Sequence, residues 1–136
     1  MSTARDQQRT ILVVEDQPEV RALLSDALEM LGYWVLAAAH PNEALAIADE
    51  HAEEIDLVLT DVVMPVMNGP ELARRLMRRH PFLRVLYLSG HGAEALAALG
   101  VPGGDTVLKK PFTMDALIER VSGALEPLSA PVASGG

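Results

Sequence analysis

The chain has 136 residues, 49% of them hydrophobic, a formal net charge of -8 at pH 7 and no cysteine. That length suits one core and is too short for two ordinary domains; the acidic balance argues against a nucleic-acid surface, and without cysteine there are no disulfides, thiolate chemistry or zinc–thiolate sites. The polar start, Ser2 to Gln8, lacks the apolar segment of a signal peptide, and no apolar run approaches the roughly 18 residues of a membrane span, so a cytoplasmic protein is expected.

Along the chain, short apolar runs alternate with segments of helical period, the signature of repeated strand–helix units. A first strand is predicted over about residues 10–14, where Ile11-Leu12-Val13-Val14 runs into Glu15-Asp16. Its helix opens at Pro18, places Val20, Leu23, Leu24, Ala27, Leu28 and Leu31 on one face and stops at Gly32. A second strand, 33–38, uses Tyr33 and Trp34 to cover the core and leads to a helix from Pro41 through Ala52. The third, 55–60, ends at Asp61, whose carboxylate should crown a buried strand and face solvent as it opens the loop from Val62 to Gly69; a helix from Pro70 to about Arg79 follows.

The fourth strand, 84–88, runs into Ser89-Gly90 and an alanine-rich helix, 93–99, with Gly100, Pro102, Gly103 and Gly104 behind it. With little to pin it, that helix is the expected moving part. The fifth strand, 105–109, delivers Lys110-Pro111, and the last helix, capped by Thr113, runs to about Glu126. Residues 1–8 and 127–136 read as loose tails around one domain, 9–126. The result is an α/β fold, a (βα)5 doubly wound sheet with helices on both faces.

Four strands thus end in groups that chemistry can use, and in a parallel sheet ligands bind outside the carboxyl ends of the strands, so Glu15, Asp16, Asp61, Ser89 and Lys110 should share one crevice. Two carboxylates about 4 Å apart repel by roughly 4 kcal/mol at an effective dielectric of about 20, so three would not gather without a cation. Hard oxygen ligands without cysteine or a histidine cluster point to Mg²⁺, which keeps waters and takes further oxygens from a phosphate. With Lys110 and Ser89 on its other side, the constellation is a phosphoryl site in which Asp61 can attack phosphorus and form an acyl phosphate.

These residues resemble the receiver domains of two-component response regulators, over essentially the whole span from Arg9 to about Glu126. The carriers are Val13-Val14-Glu15-Asp16, the segment Leu59-Thr60-Asp61-Val62-Val63-Met64-Pro65 with Gly69 beyond it, the pair Ser89-Gly90, and Lys110-Pro111-Phe112. The resemblance implies a flavodoxin-like parallel sheet of strand order 2-1-3-4-5. It also implies Mg²⁺ on Glu15, Asp16, Asp61 and the backbone carbonyl of Val63, a phosphoryl group passing from phosphohistidine to Asp61, pairing with Lys110, a hydrogen bond from Ser89, and a cis Lys110-Pro111 peptide. The partners implied are a sensor histidine kinase or a histidine phosphotransfer protein, with no nucleic acid or membrane and homodimerisation left open. The signal is expected to leave through the fourth helix, fifth strand and fifth helix. Catalysis is expected only of the domain's own phosphorylation and dephosphorylation. The look of the Asp61 and Ser89 segments suits a receiver of a hybrid sensor kinase, with a stand-alone regulator as the other option.

The sequence departs from the family where many receivers carry an aromatic residue three positions before the lysine; here that position is Val107, so no large aromatic rotation is expected there. Val63 and His91 lie where side chains flank the path of the hydrolytic water, and of the two only His91 can orient it. Met64, Met67 and Met77 read as core fillers, Arg74, Arg75, Arg78 and Arg79 as a solvated helix face, and His40, His51 and His80 as residues near helix ends without metal-ligand spacing. A dinucleotide site would need a glycine fingerprint where Glu15-Asp16-Gln17 stands. A phosphohydrolase would carry a second acid at Val63, and a phosphorylation-independent docking module is the alternative in kind.

Overall fold

The computed structural model describes residues 8–51, 53–101 and 106–126. The elements run β1 (Thr10–Val14), α1 (Pro18–Met30), β2 (Trp34–Ala38), α2 (Pro41–Glu50), β3 (Leu57–Asp61), α3 (Gly69–Arg79), β4 (Arg84–Ser89), α4 (Ala93–Ala98), β5 (Val107–Lys109) and α5 (Met114–Leu125). All neighbouring strands pair in parallel in the order β2-β1-β3-β4-β5, as the resemblance implies.

Strand alternation sends successive side chains to opposite faces, and the core divides accordingly. Ile11 and Val13 of β1 pack with Leu57, Leu59, Leu86 and Leu88 under α1 and α5. Leu12 and Val14 join Val58 beneath α2 and α3. A smaller group, Val62, Leu96 and Val101, seats α4 on that second face. The central strands are apolar at nearly every position because both faces are covered.

Helix starts follow the sequence closely. Proline stands in the first turn of α1, α2 and α3, and Thr113 caps α5 as expected by accepting from the Ala116 amide at 3.0 Å. Gly32 stops α1 with φ +98°, a backbone state glycine reaches at no steric cost. No described helix is long and apolar enough to cross a membrane.

The differences from expectation have local causes. β3 starts at Leu57 because Asp56 is spent on fastening the strand ends: its carboxylate accepts from the Thr10 amide at 2.8 Å and its own amide donates to the Thr10 carbonyl at 2.9 Å. Trp34 does not cover the core; it is 47% exposed on the edge strand β2, and its indole N–H donates to the Gln8 side chain, while Tyr33 packs inward. Gln8, expected in a loose tail, also donates to the Gly32 carbonyl at 2.9 Å. Residues 1–7, Ala52, the stretch 102–105 and 127–136, where further predictions fall, lie outside the described residues. Met64 and Met67 are buried as expected, whereas Met77 is on the exposed side of α3. The arginines do form a solvated face, with Arg74 and Arg75 paired to Glu71 and Arg79 to Asp49.

Candidate functional site

Asp61 is the last residue of β3, and it is 5% exposed: the strand runs one residue further than predicted and buries the carboxylate that was expected to face solvent. It stands in register with Leu88 of β4, and the next amide, Val62, donates to the Leu88 carbonyl at 3.0 Å. Behind it, the chain returns so tightly that the Gly69 amide bonds the Val62 carbonyl at 2.7 Å, and a Cβ on Gly69 would lie 2.3 Å from the Asp61 carbonyl oxygen. No side chain fits that space, which gives the glycine eight residues after Asp61 a steric reason.

Glu15, at the end of β1, is fully buried. The Gln17 amide donates to one of its carboxylate oxygens at 3.1 Å, and Arg21 from the first turns of α1 donates to its backbone carbonyl at 2.9 Å. Lys110, beyond β5, brings its Nζ to 2.8 Å from Asp61 Oδ1 and 3.3 Å from Glu15 Oε1. The Lys110 amide donates to the Ser89 carbonyl at 2.7 Å, and the Lys110-Pro111 peptide is cis, as the resemblance implies. Ser89 Oγ accepts from the His91 amide at 2.9 Å.

Glu15, Asp16 and Asp61 each place a ligand atom within 4.8 Å of the others, the one such acidic cluster among the described residues. A cavity of about 240 Å³ opens above them, with Asp16, Asp61, Val63, Ser89, His91 and Lys110 on its wall. Every sequence-predicted site residue except Val107 and Glu15 therefore borders one hollow. Glu15 lies beneath it in contact with Lys110, and Val107 packs one layer below around Val62 and Leu96. A larger hollow of about 750 Å³, with Arg84, Thr106 and Glu119 on its wall, lies by the amino ends of β4 and β5, away from the carboxylates.

Burial lifts the Glu15 carboxyl to a pKa of about 7; the hydrogen bond and charge of Asp61 add to the rise, which the Gln17 amide and Lys110 only partly oppose. Burial alone would weaken the Lys110 ammonium, but the bond and charge of Asp61, with Glu15 behind, outweigh it and hold its pKa above the ordinary value. One ammonium among three carboxylates leaves a negative excess. The donors are hard oxygens, so the residues present fit Mg²⁺.

Sequence reasoning missed three supports. Asn68 caps α3 by accepting from the Glu71 amide at 2.9 Å, and the spacing Asn68-x-x-Glu71 was a readable signal. Arg21 had no signal, since only the turn from β1 into α1 brings it back to the Glu15 carbonyl. Tyr87 lies directly beside Val107 in the sheet register, a pairing that sequence alone does not give.

Comparison with known proteins agrees with this geometry. The sequence profile of the response regulator receiver domain matches residues 11–122. The chain is 41% identical over 118 residues to the sensor kinase CckA of Brucella abortus, covering 86% of the chain and 12% of that kinase. It is 38% identical over 114 residues to the response regulator receiver protein CpdR of the same organism, covering 83% of the chain and 93% of CpdR. Against transcriptional regulators it spans less than half of their length. The crystal structure of the receiver domain from the hybrid histidine kinase CckA superposes with a TM-score of 0.73 at 38% identity, covering 86% of this chain and 99% of that one. Strand order, site and sequence agree, and the chain belongs to the response regulator receiver domain family.

Proposed function

We propose that this domain is the phosphoacceptor of a two-component phosphorelay, with Asp61 as the acceptor. The observation that carries this reading is the buried Asp61 carboxylate held 2.8 Å from the Lys110 ammonium beside two further carboxylates. In the reaction, an Asp61 oxygen attacks the phosphorus of a phosphohistidine, the P–N bond breaks, and the imidazole leaves with the bonding electron pair. Lys110 meets the phosphoryl oxygens and Ser89 gives up its bond to the His91 amide to donate its hydroxyl to them. Glu15, Asp16, Asp61 and the Val63 carbonyl would hold Mg²⁺, which supplies the positive charge that offsets the negative charge growing on phosphorus. In the later hydrolysis, water attacks phosphorus, the P–O bond to Asp61 breaks, and the Asp61 carboxylate is restored as inorganic phosphate leaves. Val63, half exposed and apolar, offers that water no hydrogen bond, whereas the exposed His91 can orient it.

The donor is a sensor histidine kinase or histidine phosphotransfer protein in the cytoplasm, and the domain catalyses only its own phosphorylation and dephosphorylation. The likeness to CckA and CpdR suits either a receiver joined to a kinase or a short regulator. The output face is α4–β5–α5. A docking module that never carried phosphate would have no use for carboxylates buried against one another.

Asp61→Asn tests the assignment, because an amide is no nucleophile at phosphorus. Label from a phosphorylated kinase or from acetyl phosphate should fall to background, and undiminished label in that variant would remove Asp61 from the role.

A further inference from the structure

Resting on the phosphoacceptor reading of Asp61, we propose that Tyr87 is the positioning residue that carries a change at Asp61 and Ser89 to α4. Tyr87 lies two residues before Ser89 on β4, so both side chains leave the sheet on the same face. That face is the one α4 covers. Val62, directly after Asp61, packs with Leu96 of α4 and with Val101 beyond it, and Tyr87, Leu99 and Val107 close around this group. In the ladder Tyr87 stands between Thr60 of β3 and Val107 of β5. It therefore touches, in one side chain, the strand that bears Ser89, the neighbour of Asp61 and the seat of the helix.

The helix depends on that seat. α4 has six residues, and Leu96 is the one large apolar side chain it buries. So short a helix has no stability of its own and takes its position from what it rests on. Val62 and Val107 each end in two methyls on a single rotatable bond, whereas the Tyr87 ring is a rigid plane whose displacement moves every group against it. Burial lifts the phenol's pKa, and the charge of Arg74 on α3 opposes the rise in part. When Ser89 leaves the His91 amide for the phosphoryl group, the end of β4 shifts, and the ring must find a new fit against Leu96.

The chain has two tyrosines, Tyr33 and Tyr87, which allows a direct reading. With 3-fluorotyrosine incorporated, ¹⁹F spectra with Mg²⁺ and beryllofluoride show both rings and the bound beryllofluoride, and Tyr33→Phe assigns the signals. The Tyr87 signal should move on binding while Tyr33 stays. In Tyr87→Leu, labelling of Asp61 by acetyl phosphate should remain within about twofold, while the beryllofluoride-induced change in amide exchange over residues 96–101 falls by about threefold or more; Tyr87→Phe should keep that change. Bound beryllofluoride with an unmoved Tyr87 signal, or an undiminished exchange response in Tyr87→Leu, would overturn the inference alone. No bound beryllofluoride at all would overturn the phosphoacceptor reading and this inference with it.

Discussion

At Val66 the backbone stands at φ +75°, and the Met67 amide donates to the Pro65 carbonyl at 2.8 Å, a three-residue turn around a β-branched side chain that is 85% exposed. A branched residue in that region costs on the order of 1–3 kcal/mol, while glycine there costs only the roughly 0.5–1 kcal/mol of its freer unfolded chain. Val66→Gly should therefore raise stability by about 1 kcal/mol, read as a higher urea midpoint at unchanged slope. Gly69→Ala should do the opposite. Its Cβ meets backbone, not a yielding side chain, and the loss should exceed about 2 kcal/mol in the same measurement. Glu15 makes a prediction of another kind. Its folded pKa of about 7 lies above the ordinary 4.5, so the metal-free protein binds a proton more tightly folded than unfolded and loses stability as pH rises through that window. Mg²⁺ replaces the proton. The thermal shift it produces should be small near pH 5 and full above pH 7, and an Asp16→Ala variant should lose most of it; a shift independent of pH would remove Glu15 from the site.

Among the elements, α4 is better anchored than its alanines suggest. Its end is a paired turn in which the Gly100 amide donates to the Ala97 carbonyl at 3.0 Å and the Val101 amide to the Leu96 carbonyl at 2.9 Å, with Leu96 and Val101 in contact. Gly100, at φ +86°, makes that turn available. Gly100→Ala should cost about 1 kcal/mol and speed amide exchange in 96–101 without affecting the labelling of Asp61; equal exchange in both proteins would show that the turn does not hold the helix. The sequence showed Gly100 as a stop but not the fold-back that brings Val101 under the helix, because that contact depends on where Val62 and Tyr87 stand. The same limit explains the other misreadings. Asp61 and Glu15 were found by type and position, since strand ends and acidic residues are local features. Their burial was not legible, because it comes from Gly69, Lys110 and Ser89 arriving from three other parts of the chain. Trp34 misled for a related reason: its pattern fits a strand, but only the sheet order makes β2 an edge.

For the whole molecule, that same order assigns unequal supports to the groups of the site. Glu15 and Asp61 end β1 and β3, which have a partner strand on each side, whereas Lys110 follows β5, three residues long and paired on one side only. Strands of this kind open in local fluctuations far more often than central ones. Each opening withdraws the ammonium while the carboxylates stay in place, so an acyl phosphate on Asp61 would be left for that moment without its cation. The lifetime of the signal is then set by how often an edge strand detaches as well as by the chemistry of hydrolysis. Because the ammonium offsets the charge that grows when water attacks phosphorus, phosphorylated protein should keep its phosphoryl group longer when β5 is weakened away from the site, as by Leu108→Ala, even though that side chain touches none of the reacting groups. An unchanged half-life in that variant would mean that weakening β5 does not withdraw the ammonium from the phosphoryl group.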